Sequence, residues 1–240
     1  MPESQRLLAV VPARGGSKRL PRKNVLLLGG KPMIAWTLDA ALASGVFADV
    51  LVSTDDTAIS DVARSCGALV PWLRPPELAS DTAPTADVLR HALLSYERER
   101  GSVDAVVLLQ PTSPFRSVRS IRCAIEQFLA QPVRKPVVSV SPAATHPAWC
   151  FAIDGTQLTP FQGWDLLDRR SQDLPPAYAL NGAIYVFPAA QVRAAGPLLT
   201  PQTQGFVMDD PAEAHDIDTE ADWRVAETIA QLHGRHGSAQ

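Results

Sequence analysis

LLAVVPARGGSKRLPRKN, Leu7 to Asn24, opens on five consecutive apolar residues and runs straight into a loop with two glycines and five cations, Arg14, Lys18, Arg19, Arg22 and Lys23. A strand wetted on one face alternates apolar and polar residues. An unbroken apolar run belongs to a strand covered on both faces, as in a parallel sheet between helices. The residues downstream repeat the rhythm. A helix is expected from Pro32, at its first position, to about Ser44, a strand at Val50–Ser53, a helix from Asp56 to Cys66 stopped by Gly67, and a third strand at Leu69–Trp72. Thr85–Arg100 carries Val88, Leu89, Ala92, Leu93 and Tyr96 at helical spacing. Asp104–Gln110 reads as a strand, Ser117–Ala130 as a helix and Val137–Ser141 as a strand. The fold expected is α/β, with a mostly parallel sheet covered by helices on both faces. Ligands of such sheets sit at the carboxyl ends of the strands. The loops that matter are therefore Pro12–Asn24, Thr54–Asp55, Arg74–Thr85 and Pro111–Arg116.

The rhythm breaks near residue 141. Trp149–Ile153, the Asp154-Gly155 turn and Leu158–Thr159 read as a β-hairpin, followed by a polar stretch from Asp165 to Pro176. The sheet pattern resumes at Gly182–Phe187 and Gly205–Met208. Thr219 with Asp222 forms a capping box for a last helix ending near Leu232. Residues 1–240 thus read as one domain with a small β-containing arm inserted at 142–180 and a disordered tail at 234–240. The arm carries Trp149, Phe151, Phe161 and Trp164, large apolar groups that another surface should bury.

Composition narrows the class. The chain has 240 residues, 46% of them hydrophobic, so it can build a core without disulfides or a structural metal. Its formal charge of -3 excludes bulk electrostatic capture of nucleic acid. Three cysteines with no CxxC spacing fit a reducing compartment and no thiolate zinc site. No apolar run approaches the ~20 residues of a membrane span. The Leu7–Val11 run is too short for a signal peptide. A cytoplasmic protein is expected.

Four constellations could carry chemistry. In the loop after the first strand, glycines let backbone N–H groups approach an anion while the cations neutralise it, which suits a triphosphate. The spelling is neither GxGxxG nor GxxxxGK[ST], and a solvated basic loop is the alternative. Asp216 and Asp218 stand at i and i+2, on one side of an extended segment, as a Mg²⁺ ion with phosphate oxygens would want. The alternative is that Asp218 or Thr219 merely caps the last helix. Asp209-Asp210 reads as a solvated turn. Gln110-Pro111-Thr112-Ser113-Pro114 ends a central strand with an amide and hydroxyls suited to a base or sugar, or is only a rigid turn. Asn181-Gly182-Ala183-Ile184-Tyr185 is the fourth, with an ordinary strand start as its alternative. No HExxH or GxSxG pattern occurs.

In order along the chain, PARGGSKRLPRKN (Pro12–Asn24), STDD (Ser53–Asp56), RPPELASDTAPT (Arg74–Thr85), LLQPTSPFR (Leu108–Arg116), LNGAIYV (Leu180–Val186) and DIDTEADW (Asp216–Trp223) resemble the acylneuraminate cytidylyltransferase (CMP-sialic acid synthetase) family. The resemblance spans residues 6 to about 232. It implies a mononucleotide-binding α/β fold that joins CTP to a nine-carbon 2-keto sugar acid and releases pyrophosphate, with Mg²⁺ as cofactor and a homodimer built through the arm. The product would feed lipopolysaccharide or capsule synthesis. By motif match, Arg14, Ser17, Lys18, Lys23 and Asn24 would hold the phosphates, with Arg14 and Lys23 stabilising the leaving pyrophosphate. Arg74, Ala83, Thr85 and Thr112 would read cytosine and ribose. Gln110, Asn181 and Tyr185 would face the sugar acid, and Asp216 and Asp218 would bind the metal.

Three departures cluster at the sugar-acid end. Arg170-Ser171-Gln172 before Leu174-Pro175 displaces by one position an Arg-Gln pair of the family, Ala179-Leu180 replaces an Arg-Pro, and Trp149 stands where a Lys follows His-Pro. Arg170 and Gln172 remain the sugar-acid candidates of this segment. The expected substrate shifts from N-acetylneuraminic acid toward legionaminic or pseudaminic acid. A ketodeoxyoctonic-type acid, and a non-catalytic nucleotide-binding regulator, are the competing readings.

Overall fold

A computed structural model describes residues 5–237. Its centre is a six-stranded sheet in the order β10-β6-β9-β5-β1-β4. The strands are β1 (Leu7–Pro12), β4 (Asp49–Ser53), β5 (Ala105–Leu108), β6 (Val137–Pro142), β9 (Tyr178–Pro188) and β10 (Gln204–Val207). Two small antiparallel ribbons, β2 (Leu27–Leu28) with β3 (Lys31–Pro32) and β7 (Phe151–Asp154) with β8 (Gln157–Pro160), lie outside it. β1 pairs in parallel with both β4 and β5, and β10 with β6. β9 alone runs against its neighbours, β5 and β6. The sheet is therefore mostly parallel, with one reversed strand at its middle.

Strand periodicity explains how both faces fill. Leu7, Ala9 and Val11 point into a core shared with α1 (Met33–Ser44), α2 (Thr57–Ser65) and α4 (Val118–Leu129). Leu8 and Val10 point the other way, toward α3 (Thr85–Arg100) and α5 (Ala189–Arg193). α3 has the expected bounds and buries the expected face, Val88, Leu89, Ala92, Leu93 and Tyr96. A third cluster of Leu28, Met33, Phe115, Ile217, Ala226 and Ala230 packs α6 (Glu220–Gly237) over the β2–β3 ribbon.

Several expectations are corrected. Leu69–Trp72 is not a strand: Leu69 forms a lone bridge to Leu51, and Pro71 has no N–H with which to extend it. Pro32 is the cap residue of α1 rather than its first helical residue. Trp149 ends a 3₁₀ turn, Pro147–Trp149, ahead of the hairpin. β9 begins at Tyr178, inside the expected arm, and is 11 residues long. α6 runs past Leu232 to Gly237, so the tail expected at 234–240 lies partly in this helix and, from 238, outside the described residues. The capping box holds: Asp222 Oδ2 accepts from the Thr219 N–H at 2.7 Å, and the Asp222 N–H donates to Thr219 Oγ1 at 3.3 Å.

The stretch between β6 and β9 leaves the sheet and returns, its neck closed by the Ala143 N–H donating to the Ala177 carbonyl at 2.9 Å. On it Phe161 is 70% exposed, Ile153 68% and Trp164 60%.

Candidate active site

Four segments close around one cavity of about 630 Å³. They are the basic loop after β1, the stretch from Arg74 to Thr85 leading into α3, the Gln110–Thr112 turn after β5, and the Asp216–Asp218 segment ahead of α6. Of the expected site residues, Arg14, Ser17, Lys18, Lys23, Asn24, Arg74, Ala83, Thr85, Gln110, Thr112, Asp216 and Asp218 line it together.

The basic loop is held by its neighbours rather than by secondary structure. The Gly15 N–H donates to Asp55 Oδ1 at 3.1 Å, and a Cβ at Gly15 would lie 2.6 Å from Asp56 Oδ2. Asp56 cannot yield, because it caps α2 by accepting from the Ala58 and Ile59 N–H groups. Asn24 is buried and donates to the Arg14 carbonyl at 3.1 Å, while its Oδ1 has no partner. The loop's cations reach two carboxylates on two other segments of the cavity. Arg14 meets Asp81 at 2.5 Å and Lys18 also pairs with Asp81. Lys23 meets Asp218 at 2.9 Å and donates to the Ile217 carbonyl at 2.8 Å, and Arg19 meets Asp218 at 3.0 Å.

Arg74 lies at the floor, 6% exposed, with Nε and one terminal nitrogen lacking hydrogen-bond partners and Asp55 3.7 Å away. Burial pushes its pKa down, and Asp55 opposes the shift. That terminal nitrogen is the one facing Asp55, so Nε is the donor left without any partner among the described residues. Burial raises the Asp216 carboxyl, the Thr112 hydrogen bond opposes this, and the negative Asp218 adds to it. The cap of α6 belongs to Thr219 and Asp222, so the Asp218 carboxylate is engaged by Lys23 and Arg19 of the cavity rather than by the helix. Among the described residues no three His, Cys, Asp or Glu side chains group to hold a metal. A cation between Asp216 and Asp218 would complete its shell with water and ligand oxygens, as Mg²⁺ does. The donor set fits that ion.

A family model described as Cytidylyltransferase matches residues 8–231. The chain belongs to the cytidylyltransferase family. It is 42% identical over 231 residues to CMP-N,N'-diacetyllegionaminic acid synthase of Legionella pneumophila, covering 95% of this chain and 97% of that one. It is 30% identical to pseudaminic acid cytidylyltransferase of Campylobacter jejuni over 97% of this chain and 98% of the relative. It is 33% identical to N-acylneuraminate cytidylyltransferase of Escherichia coli, over 96% of this chain but 53% of that longer protein. A solved CMP:2-keto-3-deoxy-manno-octonic acid synthetase, complexed with CTP, superimposes with a TM-score of 0.70 over 97% of this chain and 100% of the other, at 19% identity, which establishes shared fold.

This cytidylyltransferase is a nucleotidyltransferase enzyme, and four of its expected sugar-site residues stand outside the cavity. Asn181 is buried and fully engaged: its Oδ1 accepts from Ser139 Oγ at 2.5 Å and from the Ala183 N–H at 3.1 Å, and its amide nitrogen donates to Ser141 Oγ at 2.8 Å. It stabilises the irregularity where the β6–β9 register shifts. Tyr185 pairs with Leu108 and Val138 in the sheet and packs beside the α3-side core. Arg170 and Gln172 are exposed on the arm. The enzyme's cavity also contains residues that sequence reasoning did not select. Asp81 and Ser80 lie inside the RPPELASDTAPT motif but do nothing recognisable until the chain folds the basic loop against them. Arg19 is one of the five loop cations, and its contact with Asp218 leaves no mark in the sequence. Arg116 ends the QPTSPFR motif beneath the site. It is 2% exposed, donates to Thr37 Oγ1 at 2.7 Å and to the Gln110 carbonyl, and leaves Nε unpartnered. Burial lowers its pKa to about 9, against the pull of Glu213 and Asp216.

Proposed function

We propose that this cytidylyltransferase joins CTP to a nonulosonic acid of the legionaminic or pseudaminic type, giving a CMP-sugar and pyrophosphate. The observation that carries the reading is one cavity in which Arg14, Lys18, Arg19 and Lys23 converge with the buried Arg74 and the Asp216/Asp218 pair. Four cations suit a polyphosphate. Arg74, with Ala83, Thr85 and Thr112 nearby, suits a base and ribose. Gln110 is the polar group left for the sugar acid.

In the reaction the anomeric hydroxyl oxygen forms a bond to the α-phosphorus of CTP and gives up its proton to solvent water, the bond from that phosphorus to the bridging oxygen breaks, and the electron pair and charge leave on pyrophosphate. Little covalent work falls to protein side chains; positioning and charge neutralisation dominate. Arg14, Lys18 and Lys23 neutralise the leaving pyrophosphate, Asn24 and Ser17 fix the loop around it, and Thr112 orients Asp216. Asp216 and Asp218 would hold Mg²⁺, which supplies further charge neutralisation at the phosphates when bound. Among the described residues no histidine lines the cavity, and none is assigned as base.

The sugar reading is supported by the 42% identity to a legionaminic acid synthase and by the departures at Trp149, Arg170 and Ala179-Leu180. Trp149 in place of Lys exchanges a charged donor for apolar contact, which suits a deoxygenated, N-acylated side chain. A pyrophosphate-release assay with CTP and N,N'-diacetyllegionaminic, pseudaminic, N-acetylneuraminic and ketodeoxyoctonic acids tests it. kcat/KM should be at least as high for the first two as for N-acetylneuraminic acid; a clear preference for N-acetylneuraminic acid refutes the tuning, and no release with any of them returns the regulator reading. The same proposal includes a homodimer through the exposed apolar groups of the arm and action in the cytoplasm, where CTP is made. No described helix is long and apolar enough to cross a membrane.

A further inference from the structure

Two carboxylates bind the cations of the basic loop, and they are held in opposite ways. Asp218 is anchored. Its neighbour Ile217 is fully buried and donates its N–H to the Thr112 carbonyl at 2.8 Å, and the Asp218 N–H donates to Asp222 Oδ2 at 3.1 Å. Asp81 is not anchored. It sits in an exposed turn between the 3₁₀ turn Pro76–Leu78 and α3. Among the described residues the turn is closed by local contacts, the Ala83 N–H to the Ser80 carbonyl at 3.3 Å and Ser80 Oγ to Thr82 Oγ1 at 3.4 Å. Its ties to the basic loop are the ion pairs of Asp81 with Arg14 and Lys18. Both cations face the cavity, and a polyphosphate resting on them must take the place of the Asp81 carboxylate: the two anions repel, and each would claim the same donors.

We propose that Asp81 is a displaceable counter-anion of the phosphate cradle: it holds Arg14 and Lys18 while that part of the cavity is unfilled, yields them to the two terminal phosphates of CTP, and takes them back as pyrophosphate leaves. This rests on the reading that the cavity takes CTP with its phosphates against the basic loop. Asp81 thereby sets a charge threshold. A ligand with a single phosphate does not need Arg14 and Lys18 and binds with Asp81 in place, whereas pyrophosphate binds only by winning the competition. The device weakens product inhibition without touching the reacting atoms, and Asp81 is a specificity-determining residue rather than a catalytic one.

The test is calorimetric titration of the wild-type enzyme and of Asp81→Asn and Asp81→Ala with CTP, inorganic pyrophosphate and CMP, at low salt and at about 0.5 M salt, with thermal melts to verify folding. Both pairs are exposed, so their hold is modest and screened by salt, and both variants should bind pyrophosphate about three- to tenfold more tightly, with the gain shrinking at high salt. CMP affinity should stay within about twofold, and the inhibition constant of pyrophosphate in the forward assay should fall by the same factor as its Kd. Pyrophosphate binding that is unchanged or weakened, or an equal gain for CMP, overturns the proposal while leaving the cavity assignment standing. A wild-type enzyme that binds neither CTP nor pyrophosphate overturns the cavity assignment and this inference with it.

Discussion

A side chain at Gly182 would be strained by the backbone and would push against Gln110. The residue has φ +74°, and a Cβ there would lie 2.8 Å from Gln110 Oε1. Gly182→Ala should cost about 1–3 kcal/mol in urea unfolding and displace Gln110, so that KM for the sugar acid rises while KM for CTP holds. Arg116 is a second position where one side chain governs the site. Arg116→Met removes a buried cation and leaves the Gln110 carbonyl and Thr37 hydroxyl without their donor. A loss of about 2–4 kcal/mol is expected by chemical denaturation, because breaking a buried charged contact exposes its partners' desolvation penalty. Asp218→Asn is a different kind of change. The cap of α6 resides on Thr219 and Asp222, so the variant should melt near the wild-type temperature. Its kcat should fall about a hundredfold or more, measured by pyrophosphate release at saturating Mg²⁺. Near wild-type turnover would strip Asp218 of its role. At this scale the sequence disclosed the cations and the acid pair, since glycine and charge after a buried strand carry their own chemistry. It did not disclose Asp81, whose partners are 67 and 63 positions away along the chain for Arg14 and Lys18 and which meets them only after folding.

The elements closest to expectation are those whose signals are local. α3 begins and ends where its apolar spacing says it should, and α4 starts behind Ser117, whose hydroxyl accepts from the Ser120 N–H. β9 was foreseen only from Gly182, because Tyr178, Ala179 and Leu180 are exposed and read as arm. Their pairing with Pro142, Ser141 and Val140 is a fact of the sheet and leaves no mark in the chain itself. Between elements, Tyr96 of α3 ties the helix to β4 and to the start of β1. Its hydroxyl donates to Asp49 Oδ2 at 2.7 Å and accepts from Arg6 at 3.0 Å. Burial, with Asp49 adding, raises its pKa to about 12. The unfolded phenol ionises near pH ~10. The contribution is therefore intact below about pH 10 and disappears as pH rises through about 12. Melting temperature should fall over that interval, and Tyr96→Phe should flatten the fall while lowering stability at neutral pH. At the far end of the chain, Thr219→Ala should cost α6 about 1 kcal/mol.

The molecule as a whole presents an arm whose apolar groups face outward, with Phe161, Ile153 and Trp164 all more than half exposed. Light scattering at micromolar concentration should return a dimer, and Phe161→Ser with Trp164→Ser should return a monomer that still binds CTP, since neither residue lines the cavity. A monomeric wild type would count against the dimer. β9 adds a constraint on how such a chain can be made. It lies between β5 and β6, yet it is translated after both. While the polypeptide is still emerging, β4, β1 and β5 can assemble, but the open side of β5 has no partner until residue 188 has cleared the ribosome, and β6, already out, has nothing to join. The nascent protein thus passes through a stage with a raw strand edge of Ala105–Leu108, four buried apolar residues in the finished fold. A ribosome stalled before Tyr178 should carry a chain that recruits chaperones or aggregates, and one stalled well beyond Pro188 should not.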